Sequence, residues 1–207
     1  MVFSIGLPSS HFDNDTYLNY ATNRLKDEQA QYDDFIVGEY DDNYYNLAVK
    51  TQYSFTWVAT FCRRRRPIAL FVDDDVPFSH INLAKSLFFA PAHVRTHLLS
   101  GILIKRGRVF RDSQSKYKKW SVRKTVIPWP EHPLYPLGVY ILVSFGNVEK
   151  LTLGMLFTRP YHIDDTWLGL VAARLDMQFQ DVHNLISKMR LLRLRRIGYV
   201  PFDYQLK

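Results

Sequence analysis

Three consecutive carboxylates, Asp73, Asp74 and Asp75, directly follow a run of five apolar residues at positions 68–72. An apolar run of this length indicates a buried strand. Adjacent carboxylates repel one another and are costly to remove from water, so a strand that ends in three of them favours a bound cation. In an extended chain, Asp73 and Asp75 would point to one side and Asp74 to the other. The residues alone leave two interpretations open: an Asp-x-Asp site for a metal ion and a diphosphate, or a solvated acidic turn.

A second acidic pair, Asp164 and Asp165, stands where another helix is predicted to begin. The apolar residues that predict this helix and its inner face are Trp167, Leu170, Val171 and Leu175. Acids in the first turn of a helix commonly act as caps, because they satisfy free backbone amides and favour the helix dipole. Taken alone, this pair is therefore explained as a cap.

The elements that must position these acids alternate between strands and helices. Strands are predicted at residues 1–5, 34–37, 68–72, 101–104 and 138–143, and helices at residues 15–31, 44–62, 81–89, 148–155 and from 164 onward. This alternation indicates an α/β sheet, in which ligands gather at the carboxyl ends of strands. The acidic stretch lies at such an end. The basic, leucine-rich residues 188–196 fit either a helix or a strand.

The helix over residues 44–62 is the clearest of these predictions, with Asp41, Asp42 and Asn43 as its start signals. The residues that step by threes and fours along its inner face are Tyr44, Leu47, Thr51, Phe55, Val58 and Cys62. Four arginines at residues 63–66 place positive charge at its C-terminal end, which suits the helix dipole. Since no aromatic residues interleave with them, helix-end charge explains these arginines better than nucleic-acid binding.

The composition is that of a folded protein, with 207 residues, 47% of them hydrophobic and 15% aromatic. We expect a single domain over residues 1–207. The net charge of +7 suggests an anionic partner, and a nucleic-acid-binding protein rests on this charge alone. The single cysteine, Cys62, excludes an internal disulfide. No run of residues is long and apolar enough for a membrane span, so the chain is either soluble or a piece of an anchored protein.

Several short blocks follow one another in an order that resembles the β-1,3-galactosyltransferase and N-acetylglucosaminyltransferase family (glycosyltransferase family 31). Residues 72–76 resemble the family's Asp-Asp-Asp-Val metal motif, and residues 44–51 its Tyr-x-Asn-Leu-Thr-x-Lys-Thr block. Residues 164–169 resemble its Glu-Asp-Val-Tyr-Val-Gly block. Further matching blocks lie at residues 2–6, 33–36, 57–62, 119–122 and 135–140. The resemblance covers roughly residues 2–177, and it is the ordered set that makes it specific.

The resemblance implies a GT-A fold, with a mixed, mostly parallel sheet flanked by helices. It implies an enzyme on the lumenal side of the Golgi membrane, held by an anchor and stem that this chain lacks. Such an enzyme transfers galactose or N-acetylglucosamine from a UDP-sugar to a glycan acceptor on protein or lipid. The transfer uses manganese, inverts the anomeric centre and makes a β-1,3 linkage, and no nucleic acid takes part.

The resemblance also assigns roles to individual residues. It places the metal ion on Asp75, the preferred direct ligand, and Asp73, and it makes Asp165 the catalytic base. The residues near the nucleotide-sugar are Asp73, Asp74, Asn46 and Lys50. The residues that line the donor or acceptor cleft are Trp120, Gly138 and Asp164. Two departures from the family, the shortened glycine block at residues 136–138 and Pro77 after the acids, leave an alternative open. This alternative is a catalytically impaired GT-A-like domain that binds a UDP-sugar, a glycan or a partner.

Overall fold

The structure, a computed structural model, describes residues 1–8, 15–76, 79–112 and 116–181. Its strands are β1 (Phe3–Leu7), β2 (Phe35–Asp41), β3 (Ile68–Val72), β4 (Leu99–Ile104), β5 (Tyr135–Ser144) and β6 (Gln180–Asp181). Its α-helices are α1 (Asp15–Tyr32), α2 (Leu47–Phe61), α3 (His80–Phe89), α4 (Ala92–Thr96), α5 (Phe145–Leu156) and α6 (Asp164–Arg174). The predicted alternation is confirmed, while the prediction for residues 188–196 lies outside the described residues. Within these ranges, no helix has the length and apolar character needed to cross a bilayer.

The strands form two sheets, a parallel pair β1–β2 and a mixed sheet in the order β3–β5–β4–β6. The predicted mixed α/β character is confirmed, but the prediction of one mostly parallel sheet is not. Strand β5 runs antiparallel to both of its neighbours, and only β4 and β6 are parallel in the larger sheet. Strand β5 lies between β3 and β4 and follows β4 along the chain, so it runs back in the direction opposite to both.

The main core lies where α2, α5 and α6 pack on the larger sheet. Phe55 of α2 is fully buried and stacks on Phe71 of β3, with ring centroids 4.1 Å apart. Trp167 of α6 is also fully buried, and its indole N–H donates to the carbonyl of Thr158 at 3.2 Å. The predicted inner face of α6 fails at Leu175, which is 38% exposed because the helix ends one residue earlier.

Two local features fix where the site forms. Asn43 accepts a hydrogen bond from the backbone N–H of Tyr45, which confirms the predicted start signal and opens a 3₁₀ turn (Tyr44–Asn46) ahead of α2. Helix α6 packs directly on the start of β5, because Gly169 has no side chain. A Cβ there would lie 2.5 Å from the Cβ of Tyr135. This close approach brings the acidic first turn of α6 to the middle of β5.

Candidate active site

The acidic stretch follows β3 directly, as predicted, but the chain does not stay extended through it. Residues 74–75 form a turn, and the backbone N–H of Val76 donates to the carbonyl of Asp73 at 3.2 Å. The alternation that placed Asp73 and Asp75 on one side of a strand is therefore wrong, since it holds only for an extended chain. All three aspartates are exposed residues at the edge of the site.

The pKa of Asp73 depends on the carboxylates that surround it. Its pKa is raised to about 6, first by partial burial of its carboxyl group and then by the charges of Asp164, Asp75 and Asp74. The positive charge of Lys50 opposes this shift. Because Asp164 belongs to α6, the end of β3 and the first turn of α6 face one another. The two acidic groups that the sequence placed far apart thus form one negatively charged site.

Asp164 is held by a neighbouring helix. The hydroxyl of Thr51, on α2, donates to its Oδ2 at 3.2 Å. Burial is the main cause that raises the pKa of Asp164, and the hydrogen bond from Thr51 counteracts it. Asp164 is therefore more than a helix cap, since its side chain joins α6 to α2.

Asp165 is fixed by backbone amides. Its Oδ1 accepts from the N–H of Thr166 at 2.6 Å, and a second hydrogen bond comes from the backbone of Gly138 on β5. Burial, followed by the charge of Asp164, raises its pKa to about 7. A carboxylate with a pKa near neutrality is well suited to accept a proton as a general base.

Lys50 and Asn46 already have partners within the protein. The Nζ of Lys50 lies 3.1 Å from a carboxylate oxygen of Asp42, and the same carboxylate accepts from the N–H of Gly6 at 2.9 Å. The amide of Asn46 donates to the carbonyl of Asp41 at 2.9 Å. These bonds place both predicted nucleotide-binding residues at the carboxyl ends of β1 and β2, beside the acidic site.

Aromatic residues form another wall of the site. Burial raises the pKa of Tyr44, and the charges of Asp165 and Asp164 raise it further, so its ring lies close to the acid pair. A hydrogen bond joins the side chains of Tyr44 and Trp120, and the Nζ of Lys119 lies 4.6 Å from the centre of the Trp120 ring system. Trp120 also packs against a buried cluster, so its ring belongs in part to the core.

The donor set fits a metal ion that arrives with a diphosphate. Among the described residues, no group of three or more His, Cys, Asp or Glu side chains is arranged to hold an ion without help. Divalent ions at nucleotide sites commonly use one or two carboxylates together with substrate phosphates and waters. Burial is the main cause of the raised pKa of Asp73, but the charges of Asp164, Asp75 and Asp74 each affect it more than that of Lys50, so the site has negative charge that a cation would neutralise.

Sequence reasoning missed the partners of the predicted residues. Asp42 was identified only as a helix-start signal, and Thr51 and Tyr44 only as positions on the inner face of α2. Their roles depend on α2 lying against both β2 and α6, which sequence spacing does not reveal. One signal pointed to them: all three fall in or next to the block at residues 44–51 that resembles the family.

Comparison with known proteins shows which sequences this chain is similar to. The sequence model of the family described as "Galactosyltransferase" matches residues 2–183. Beta-1,3-galactosyltransferase 2 of Mus musculus is 29% identical over 156 residues, which is 75% of this chain and 36% of the relative. The protein of the same name in Homo sapiens has the same identity and coverage. Beta-1,3-galactosyltransferase 1 of Mus musculus is 29% identical over 179 residues, which is 84% of this chain and 53% of the relative.

The chain thus spans between about a third and about half of the length of these curated relatives. The family match is longer than these pairwise alignments, and it takes in all the described strands and helices, from β1 to β6. It includes the acidic stretch after β3, the block that opens α2 and the acid pair at the start of α6. On the strength of that match, the chain belongs to the galactosyltransferase family of glycosyltransferases.

Proposed function

We propose that this protein is a metal-dependent, inverting hexosyltransferase of the GT-A type, which transfers galactose or N-acetylglucosamine from a UDP-sugar to a glycan acceptor in β-1,3 linkage. The relatives carry β-1,3-galactosyltransferase in their names, and this supports the donor class and the linkage. By the same resemblance, we place the protein on the lumenal side of the Golgi membrane and its acceptors on protein or lipid.

One observation carries this proposal: the acidic stretch after β3 and the acid pair of α6 meet at one site. The backbone N–H of Asp73 donates to the carbonyl of Val139 at 3.3 Å, and the preceding residue, Gly138, lies beside the side chain of Asp165. A glycosyl transfer of this kind needs negative charge to hold a metal–diphosphate and a separate base for the acceptor. Asp73 and Asp75 supply the first, and Asp165 supplies the second.

The proposed reaction is a single displacement. The acceptor hydroxyl attacks the anomeric carbon, the bond from that carbon to the diphosphate oxygen breaks, and UDP leaves with the bonding electrons. Asp165 takes the proton of the attacking hydroxyl, and its backbone hydrogen bonds keep the carboxylate oriented. Asp75 and Asp73 would hold manganese, which would supply the positive charge that neutralises the leaving diphosphate.

The remaining predicted residues position the substrates. Asp74, Lys50 and Asn46 lie at the nucleotide side of the site, and we assign them to UDP. Lys50 would exchange part of its ion pair with Asp42 for contact with the diphosphate. Trp120, Gly138 and Asp164 surround the sugar-transfer position, where an aromatic face offers an apolar surface to a sugar ring.

A donor screen tests this proposal. Purified protein is incubated with manganese and a panel of UDP-sugars, and UDP release is measured with and without simple glycoside acceptors. We expect acceptor-dependent UDP release with UDP-galactose or UDP-N-acetylglucosamine. If the protein still binds UDP and manganese but releases no UDP from either donor with any acceptor, the result would contradict catalysis.

A second candidate is a GT-A-like domain that binds UDP-sugar, glycan or a partner without catalysis. Three observations favour it: the glycine block at residues 136–138 is shortened, Pro77 follows the acids, and Lys50 is already paired with Asp42. Calorimetric titration with UDP in the presence of manganese separates the candidates when combined with the donor screen. Binding without transfer supports the second candidate, and binding with transfer excludes it.

A further inference from the structure

The first turn of α6 lacks the usual side-chain cap at its start. The residue before the helix is Ile163, whose side chain has no atom that accepts a hydrogen bond from the free backbone N–H groups of that turn. The N–H of Thr166 donates instead to Oδ1 of Asp165 at 2.6 Å. The orientation of the proposed base therefore depends on the position of Thr166.

The hydroxyl of Thr166 connects the helix to a residue outside it. This hydroxyl donates to the carbonyl of Ile163 at 3.1 Å and accepts from the hydroxyl of Tyr161 at 2.9 Å. Because a carbonyl can only accept, the single hydrogen of the Thr166 hydroxyl is used there, and Tyr161 is the donor to Thr166. Thr166 is 4% exposed, so water has little access to either bond.

The ring of Tyr161 is held by two separate buried clusters. It packs against the main core, which contains Trp167, and against a smaller cluster, which contains Val122 and Ile163. Trp120, on the aromatic wall of the site, packs against the same smaller cluster. The hydroxyl of Tyr161 is therefore fixed from outside α6, and the proposed base and the aromatic wall share one support.

The hydroxyl of Tyr161 remains a donor near neutral pH. Burial raises the pKa of Tyr161 above its ordinary value of 10.0, and the charge of Asp165 raises it further. The phenol therefore keeps its proton throughout the neutral range. Its bond goes to Thr166, and it reaches Asp165 only through that residue.

We propose that Tyr161 is a positioning residue for the transfer reaction. Its hydroxyl holds Thr166, and Thr166 in turn holds the carboxylate of Asp165 in one direction. This inference rests on the proposed function, because it assigns Tyr161 to the residue that we propose as the base. Since Tyr161 acts through Thr166, its hydroxyl should affect the rate of transfer and not the binding of the substrates.

Proton NMR tests the link between Tyr161 and Asp165 without any need for transfer. The amide proton of Thr166 is followed from about pH 5.5 to about pH 8.5, in the full chain and in Tyr161→Phe, which removes only the hydroxyl. In wild type we expect this resonance to move downfield as Asp165 ionises, because its acceptor becomes a carboxylate. In Tyr161→Phe the movement should fall to about half or less. A movement of the same size in both proteins, or none in wild type, overturns the inference.

Kinetics measure the consequence for transfer. In Tyr161→Phe we expect kcat to fall about three- to tenfold, with KM for the acceptor and manganese-dependent UDP binding unchanged. Tyr53→Phe, which removes the hydroxyl of a tyrosine of α2 that packs on another aromatic ring, is the matched control. A rise in KM with kcat unchanged, or an equal loss in Tyr53→Phe, overturns the inference.

Variants of Thr166 show whether Tyr161 acts through it. Thr166→Val removes the same hydrogen bond and should lower kcat by a similar factor, while Thr166→Ser keeps the hydroxyl and should retain the wild-type kcat. The double variant Tyr161→Phe/Thr166→Val should lose no more than Thr166→Val alone, because the two changes break one connection. Losses that multiply in the double variant would overturn the inference.

Failure of the inference and failure of the proposed function are distinguishable. A protein that transfers sugar and keeps the wild-type kcat in Tyr161→Phe refutes only the role of Tyr161. A protein that shows the smaller amide movement in Tyr161→Phe but transfers no sugar keeps the link from Tyr161 to Asp165 and refutes catalysis.

Discussion

The two acidic groups of the site are built in opposite ways. Asp73, Asp74 and Asp75 are exposed in a turn, whereas Asp164 and Asp165 lie at the first turn of a helix whose following residues are buried. Thr51 donates to Asp164, and backbone amides donate to Asp165. The protein therefore supplies hydrogen-bond donors to the two acids of α6. The three acids after β3 keep negative charge, which Lys50 balances only in part.

This difference indicates that the two acidic groups have different roles. A carboxylate that must hold a cation needs to be open to solvent and short of protein donors. A carboxylate that must accept a proton needs a fixed direction and a raised pKa, and Asp165 has both. We therefore expect mutations in the two groups to impair different steps, either sugar transfer or manganese-dependent UDP binding.

The largest effect is expected at Asp165. In Asp165→Asn the hydrogen bonds from Thr166 and Gly138 can persist, but the side chain no longer accepts a proton. Sugar transfer should fall by about 10²- to 10⁴-fold, with manganese-dependent UDP binding unchanged. Transfer and UDP binding are measured together, with Asp176→Asn, at an exposed residue after α6, as control. Wild-type turnover in Asp165→Asn would show that Asp165 is not the base.

The opposite pattern is expected at Asp75. In Asp75→Ala, manganese-dependent UDP binding should weaken by more than about 100-fold, since even the loss of an outer-shell partner costs 10- to 100-fold in metal affinity. Titration calorimetry with UDP, with and without manganese, measures this directly. Asp27→Ala, at an exposed residue of α1, is the matched control. Unchanged affinity would remove Asp75 from the metal site.

Asp165 should also make the protein less stable as the pH rises. Its folded-state pKa of about 7 lies above the ordinary value near 3.9, so between these values the folded state holds the extra proton. The contribution of Asp165 to the free energy of unfolding is therefore highest below about pH 4, and it is lost as the pH rises through 7. At pH 8, Asp165→Asn should be about 1–3 kcal/mol more stable than wild type by urea denaturation, and this difference should vanish at pH 4. A stability difference that does not change with pH would contradict the raised pKa.

The smallest effect is expected at Thr51. Thr51→Val removes the donor to Asp164 and should cost about 1 kcal/mol of unfolding free energy, with a few-fold loss of transfer. Thr51→Ser keeps the hydroxyl and should restore both. Thr60→Val is the matched control, since Thr60 donates only within α2 at an exposed position. Equal losses in Thr51→Val and Thr60→Val would show that the bond to Asp164 contributes nothing specific.

Much of this arrangement was accessible from the sequence, because apolar runs and helical spacing locate β3, α2 and α6. The acidic stretch at the end of β3 was identified for the same reason. The direction of β5 was not accessible, since an apolar run looks the same whichever way its strand pairs with β3 and β4. The turn after Val72 was also missed, because three consecutive aspartates look alike in a strand and in a turn.

The partners of the site residues were the hardest to predict. The bond from Thr51 to Asp164 joins two helices that meet only in the folded protein, and the pairing of Lys50 with Asp42 depends on the end of β2. Such contacts are properties of packing, and no local pattern encodes them.

The pH dependence of sugar transfer tests the central claim, that partly buried Asp165 accepts the proton, most directly. The measurement is kcat/KM for the acceptor at saturating manganese from about pH 5.5 to about pH 8.5, for wild type and for Asp165→Asn. For wild type we predict that kcat/KM rises with pH with an apparent pKa near 7. For the variant we predict that the residual kcat/KM shows no such rise. A wild-type profile that is flat or falls with pH over this range would contradict the assignment of Asp165 as the base.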